Sequence, residues 1–150
     1  MEKILIIEDQ KEKARGISDA LNEILPNIKS ELKESLRSGL KSLKKNKYDL
    51  LILDMSMPRF DQDLSSNEPV IPESFAGKEI LSQMSLRSIL IPTIVITQYS
   101  VFGENKIELS SLDSNFKENY SEFYLGCIYY SSASMNWKKE LINLIENNLT

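Results

Sequence analysis

Histidine is absent from this chain of 150 residues. With it go the usual general base of neutral-pH catalysis and the commonest transition-metal ligand. Cysteine occurs once, at Cys127. One thiol cannot close an internal disulfide, and a chain without disulfides fits an intracellular, cytoplasmic setting. Cys127 lies in the apolar stretch Leu125-Gly126-Cys127-Ile128-Tyr129-Tyr130, so it reads as a buried, inert thiol rather than a nucleophile. Excess positive charge is missing too: 18 Lys and Arg stand against 22 Asp and Glu, a formal net charge of -4. Lys44, Lys45 and Lys47 read as the charged end of a helix, where cations favour the dipole. Direct nucleic-acid binding is therefore not expected. No apolar run is long enough to span a membrane. Glu8 and Asp9 break the first apolar run too early for a signal peptide. There is no low-complexity segment, and no repeat beyond an alternation of strand and helix patterns.

What is present is an ordinary globular balance, 41% hydrophobic and 27% charged. That length and balance suit one domain over residues 1–150, with a sizeable core. Residues 3–7 read as a first strand, and Ala14, Ile17, Leu21, Ile24 and Leu25 form a helical stripe that Pro26 and Asn27 end. Residues 28–35 are a charge-rich strand candidate suited to a sheet edge. Leu36, Leu40 and Leu43 repeat at helical spacing, and residues 48–53 form a third strand. From Met55 to Ser74 the chain carries Pro58, Pro69 and Pro72 with few apolar groups, which reads as a long loop of the kind that is often functional. Ile80, Leu81, Met84 and Leu86 mark a third helix, and residues 93–97 a fourth strand. The polar stretch 98–124 predicts a short or distorted helix flanked by loop. Residues 125–130 form a fifth strand, and Trp137, Leu141, Leu144 and Ile145 an amphipathic last helix. Alternating units of this number predict one parallel sheet with helices on both faces.

Three acids follow the buried-strand patterns: Glu8 and Asp9 after Ile4-Leu5-Ile6-Ile7, and Asp54 after Leu50-Leu51-Ile52-Leu53. An unpaired buried carboxylate is expensive, so such groups belong at the open carboxyl edge of the sheet, where α/β proteins bind ligands. Three converging carboxylates make a hard-oxygen site suited to Mg²⁺. The bland reading is that each acid caps a helix or turn.

In this frame the chain resembles, over nearly its whole length, the receiver domain of bacterial two-component response regulators. The resemblance rests on Ile6-Ile7-Glu8-Asp9, Leu53-Asp54-Met55-Ser56-Met57-Pro58 and Ile96-Thr97. Ser38-Gly39-Leu40-Lys41-Ser42-Leu43 and Ala76-Gly77-Lys78-Glu79-Ile80-Leu81 add to it. It implies a doubly wound five-stranded parallel sheet in the flavodoxin-like order 2-1-3-4-5, the order that illustrates the switch-point rule for ligand sites. Here the fold would carry a long loop after strand 3 and a degenerate fourth helix. It implies Asp54 as phosphoacceptor, Thr97 as a switch hydroxyl touching the phosphoryl group, and Mg²⁺ held by Glu8, Asp9, Asp54 and the backbone carbonyl of Ser56. A histidine kinase or phosphotransfer protein would be the donor, and an output partner protein would read the result. The domain would be a signalling module rather than an enzyme, with no membrane or direct nucleic-acid partner.

Departures from the pattern give a second reading, a degenerate receiver that binds a partner independently of phosphorylation. The family places a lysine, usually followed by proline, at the end of the fifth strand, where it pairs with the phosphate. Here Tyr130 or Ser131 takes that place, and Lys138 lies further on. A hydroxyl can hydrogen-bond a phosphoryl oxygen but brings no positive charge, so phosphorylation is expected to be slow. Residues 59–74 form an insertion beside the expected phosphorylation site. A third class, the Mg²⁺-dependent hydrolases of the haloacid dehalogenase type, needs a second acid two residues after the nucleophile, where this chain has Ser56.

Overall fold

The structure is a computed structural model and describes residues 1–68 and 71–149; Pro69, one of the loop prolines, lies outside the described residues. Strands β1 (Lys3–Ile7), β2 (Lys29–Lys33), β3 (Leu50–Leu53), β4 (Thr93–Thr97) and β7 (Tyr124–Tyr129) form one sheet in the order β2-β1-β3-β4-β7, every pairing parallel. In terms of the five sheet strands this is the expected order 2-1-3-4-5. The charge-rich β2 lies at an edge. Strands β1, β3 and β4 are buried almost throughout, which is why they carry no polar alternation.

Successive side chains of each strand serve different layers. Ile4, Ile6, Leu50, Ile52, Ile94, Ile96 and Ile128 pack with Ile17 and Leu21 of α1 (Lys11–Ile24) and with Trp137, Leu141 and Ile145 of α5 (Asn136–Leu149). Leu5, Ile7, Leu51, Leu53 and Val95 face the other side. There they meet Leu43 of α2 (Leu36–Lys45), Ile80 and Met84 of α3 (Ala76–Leu86), and Leu112 and Phe116 of α4 (Leu109–Asn119). Helix α2 begins at Ser35, whose hydroxyl accepts from the Ser38 amide while Ser38 reaches back to the Ser35 amide, a reciprocal cap.

Two regions depart from the expectations. The irregularity foreseen between 98 and 124 lies ahead of the helix: β5 (Val101–Phe102) and β6 (Ile107–Glu108) pair as a small antiparallel hairpin, and an α4 of 11 residues follows. A hairpin with two residues per strand leaves too little period-2 pattern to read from sequence. The insertion after β3 is a loop, but its neck is fastened. Met57 and Glu73 exchange backbone hydrogen bonds of 3.3 and 2.9 Å. The amides of Leu36 and Arg37 donate to the carbonyls of Pro58 and Arg59, and the Arg59 guanidinium reaches Glu73 and Glu79, each at 3.2 Å.

Candidate functional site

Register brings the acids together. Ile7 pairs with Leu53 across β1 and β3, so the residues that follow each leave the sheet at the same edge. The Asp54 amide donates to the Ile7 carbonyl at 3.1 Å and locks that register one residue further. Ligand oxygens of Glu8, Asp9 and Asp54 lie within 4.8 Å of one another. Glu8 and Asp54 are buried, and Asp9 is half-exposed.

The capping alternative is realised only in part. One Glu8 oxygen accepts from the Gln10 amide at 3.1 Å, and one Asp54 oxygen from the Met55 amide at 2.7 Å. Each carboxylate turns its second oxygen toward a residue that the sequence reading passed over, Lys13. The Lys13 Nζ lies 2.9 Å from Glu8 Oε2 and 3.2 Å from Asp54 Oδ2, and donates to the Ile96 carbonyl at 2.8 Å. Its side chain is only 2% exposed. The ring face of Tyr130 lies over the ammonium, with the centroid 5.9 Å away. A signal for Lys13 was present in the sequence: it sits four residues before Ile17, so it extends the apolar stripe of α1 by one turn.

Charge balance explains the titration of the site. Three carboxylates face one ammonium. Burial, then the neighbouring Asp54 charge, push the Glu8 carboxyl up to about 8, although Lys13 opposes the shift. Asp9 is raised as well, by burial first and by Asp54 second. With all three acids ionised the group carries two uncompensated negative charges, which one divalent cation would cancel. Mg²⁺ binds oxygen at about 2.0–2.1 Å in octahedral geometry. Three carboxylate oxygens as close as these fit such an ion, with the open side left to water.

Ser56 sits between two pinned neighbours. The Met55 carbonyl accepts from the Gly77 amide at 2.9 Å, and Met57 is tied to Glu73. Among the described residues no hydrogen bond ends on the Ser56 carbonyl. Gly77 is required here, because a Cβ would stand 2.5 Å from the Asp54 carbonyl oxygen and 2.9 Å from the Met55 Cα. Thr97 ends β4, fully buried, and its hydroxyl oxygen accepts from the Tyr99 amide at 3.3 Å.

No protein-family profile matches the chain. It is 29% identical to the Detocs response regulatory protein DtcB of Enterobacter cloacae over 146 residues, covering 95% of this chain and 97% of that protein. Among solved structures it matches the phosphorylated cyanobacterial phytochrome response regulator RcpA with a TM-score of 0.65 at 18% identity, covering 99% of this chain and 94% of that one. It matches the Thermotoga maritima response regulator TrrA, in complex with Mg²⁺ and BeF, with a TM-score of 0.59 at 18% identity, covering 96% and 99%. The fold is that of a response-regulator receiver domain.

Seen as a receiver, the chain corrects one expectation. The end of the last sheet strand does lack a lysine: the Tyr130 amide donates to the Thr97 carbonyl at 2.7 Å, which puts Tyr130 one residue past β7 at the site's edge. Yet the acidic cluster has an ammonium, delivered from α1 by Lys13. Lys138 makes no ion pair with the three acids among the described residues, and its Nζ lies 5.8 Å from the centre of the Trp137 ring. The expectation of a site without positive charge is therefore overturned. Among the described residues no helix is long and apolar enough to cross a membrane.

Proposed function

We propose that this receiver accepts a phosphoryl group on Asp54 with Mg²⁺ and signals through a partner protein. The observation that carries the reading is the convergence of Glu8, Asp9 and Asp54 within 4.8 Å at the carboxyl edge of the sheet. The Mg²⁺ ligands are these three carboxylates and the Ser56 carbonyl. When bound, the ion supplies two positive charges that offset the crowding of anions as phosphate approaches.

The chain's own residues do the rest. An Asp54 carboxylate oxygen attacks phosphorus, and the bond from phosphorus to its donor breaks. The donor leaves with the electron pair, and Asp54 becomes an acyl phosphate. The donor in a cell is a phosphohistidine of a kinase or phosphotransfer protein. Asp54 is held for this by the Met55 amide, and Gly77 lets α3 approach its backbone. Positioning and electrostatics are most of what phosphoryl transfer needs. The Thr97 hydroxyl already accepts from Tyr99, and its own hydrogen has no acceptor among the hydrogen bonds of the described residues, so it is available to a phosphoryl oxygen. The likeness to RcpA, solved phosphorylated, and to TrrA, solved with Mg²⁺ and BeF, supports this chemistry.

Incubation with acetyl phosphate and Mg²⁺, followed by intact-mass measurement, tests the reading. One phosphoryl adduct is expected on the parent chain and none on Asp54→Asn. No adduct on the parent, under conditions that label a standard receiver, leaves the phosphorylation-independent binding module as the better reading.

A further inference from the structure

We propose that Lys13 is the cation that binds the phosphoryl group on Asp54, and that helix α1 therefore receives the phosphorylation signal directly. This rests on the receiver reading above.

The geometry separates Lys13 from an ordinary structural counter-ion. A structural ion pair needs one partner, and burying it gains little stability over an apolar pair. Lys13 instead touches the phosphoacceptor itself, at 3.2 Å from Asp54 Oδ2. Sheet order places β3 between β1, which carries Glu8 and Asp9, and β4, which carries Ile96. Lys13 is anchored on the β4 side by the Ile96 carbonyl at 2.8 Å. Its ammonium thus reaches from Glu8 past Asp54 to the Ile96 carbonyl. The ammonium donates to Glu8 and to the Ile96 carbonyl, and pairs with Asp54 at 3.2 Å. When Asp54 carries a phosphoryl group its charge grows by about one unit and new acceptor oxygens appear. The Lys13–Asp54 contact is then exchanged for one to a phosphoryl oxygen.

That exchange pulls on α1, because Lys13 lies in its first turn on the same buried stripe as Ala14, Ile17 and Leu21. It also disturbs an aromatic pair. Tyr130 lies over the ammonium and meets Trp137 of α5 at 5.0 Å between ring centroids, inclined at 47°. Trp137 is the single tryptophan of the chain, so its fluorescence reads the movement without a label.

The test uses the full chain with Mg²⁺ throughout. Phosphorylation by acetyl phosphate is followed by intact mass in the parent, Lys13→Gln, and the double variant Lys13→Gln/Tyr130→Lys. Lys13→Gln should slow labelling at least tenfold, and a lysine at position 130 should recover part of the loss. Trp137 fluorescence of the parent should change when beryllofluoride is added to the Mg²⁺-loaded protein, and Asp54→Asn should abolish that change. The fluorescence arm needs no Lys13 variant, so it holds even if Lys13→Gln fails to fold. A parent that labels normally while Lys13→Gln labels at the same rate overturns the assignment and leaves the receiver reading standing. So does a parent whose Trp137 signal is unmoved by beryllofluoride that demonstrably binds. A parent that takes no phosphoryl group overturns both.

Discussion

Raising the pH of the Mg²⁺-free protein should destabilise it, which is unusual for a chain with 22 acidic residues. The cause is Glu8, whose carboxyl moves from an ordinary 4.5 to about 8 through burial and the nearby Asp54 charge. Between these values the folded chain holds a proton that the unfolded chain has released. Stability from this group is complete below pH 4.5 and is lost as pH rises through about 8. The slope is at most about 1.4 kcal/mol per pH unit. From pH 5.5 to 8 the loss amounts to about 3 kcal/mol, and for a domain of this size a Tm fall of roughly 5–10 °C. Asp9 is raised for the same reason and adds loss of the same sign. Carboxyls held low by their partners, such as Asp49 and Asp113, lose their stabilising effect only below the ordinary carboxyl range, outside this window. Thermal unfolding at several pH values, with chelator and with saturating Mg²⁺, measures the effect. The downward slope should appear with chelator, flatten with Mg²⁺, and shrink in Glu8→Gln to the smaller part that Asp9 contributes. A parent and a Glu8→Gln variant with the same slope would refute the reasoning.

Three further outcomes follow from the same geometry. Asp9→Asn removes the most exposed of the three acids and should weaken Mg²⁺ at least tenfold, about 1.4 kcal/mol, in a calorimetric titration, while raising Mg²⁺-free melting at about pH 8. Gly77→Ala drives a methyl into the Asp54 and Met55 backbone and should cost about 1–3 kcal/mol in urea unfolding while also lowering Mg²⁺ affinity. Cys127, whose thiol is pushed up to about 12 by burial and then by Asp113, should react with iodoacetamide at pH 8 at least about a hundredfold more slowly in the native than in the urea-unfolded chain.

The sheet was legible because its central strands are unbroken apolar runs, and the acids were legible because they stand where those runs stop. Parallel register then forces Glu8, Asp9 and Asp54 to one edge without further information. Lys13 was not legible as a site residue. A lysine in the first turn of a helix is ordinarily solvated, and nothing local says that its ammonium crosses β3 to the Ile96 carbonyl. Its place on the apolar stripe was the clue, but that clue needs the helix phase to be known to within one residue. Tyr130 was read as a gap left by a missing lysine. Its ring is instead a lid over a lysine that arrives from another element. The small hairpin of β5 and β6 escaped because pairing, not composition, defines it.

The neck between Met57 and Glu73 has a consequence for how this chain can vary. The excursion leaves and returns at one point, clasped by backbone bonds there and by Arg59 beside it. Closing a longer or shorter excursion on such a clasp changes the free energy slowly, about 0.6 kcal/mol for each doubling of length. Segments of different length and chemistry can therefore be grafted at this point while the strands keep their register. The graft point begins three residues after Asp54. What varies freely in length here is thus the approach to Asp54, while the carboxylates and the ammonium remain fixed to the scaffold beneath it.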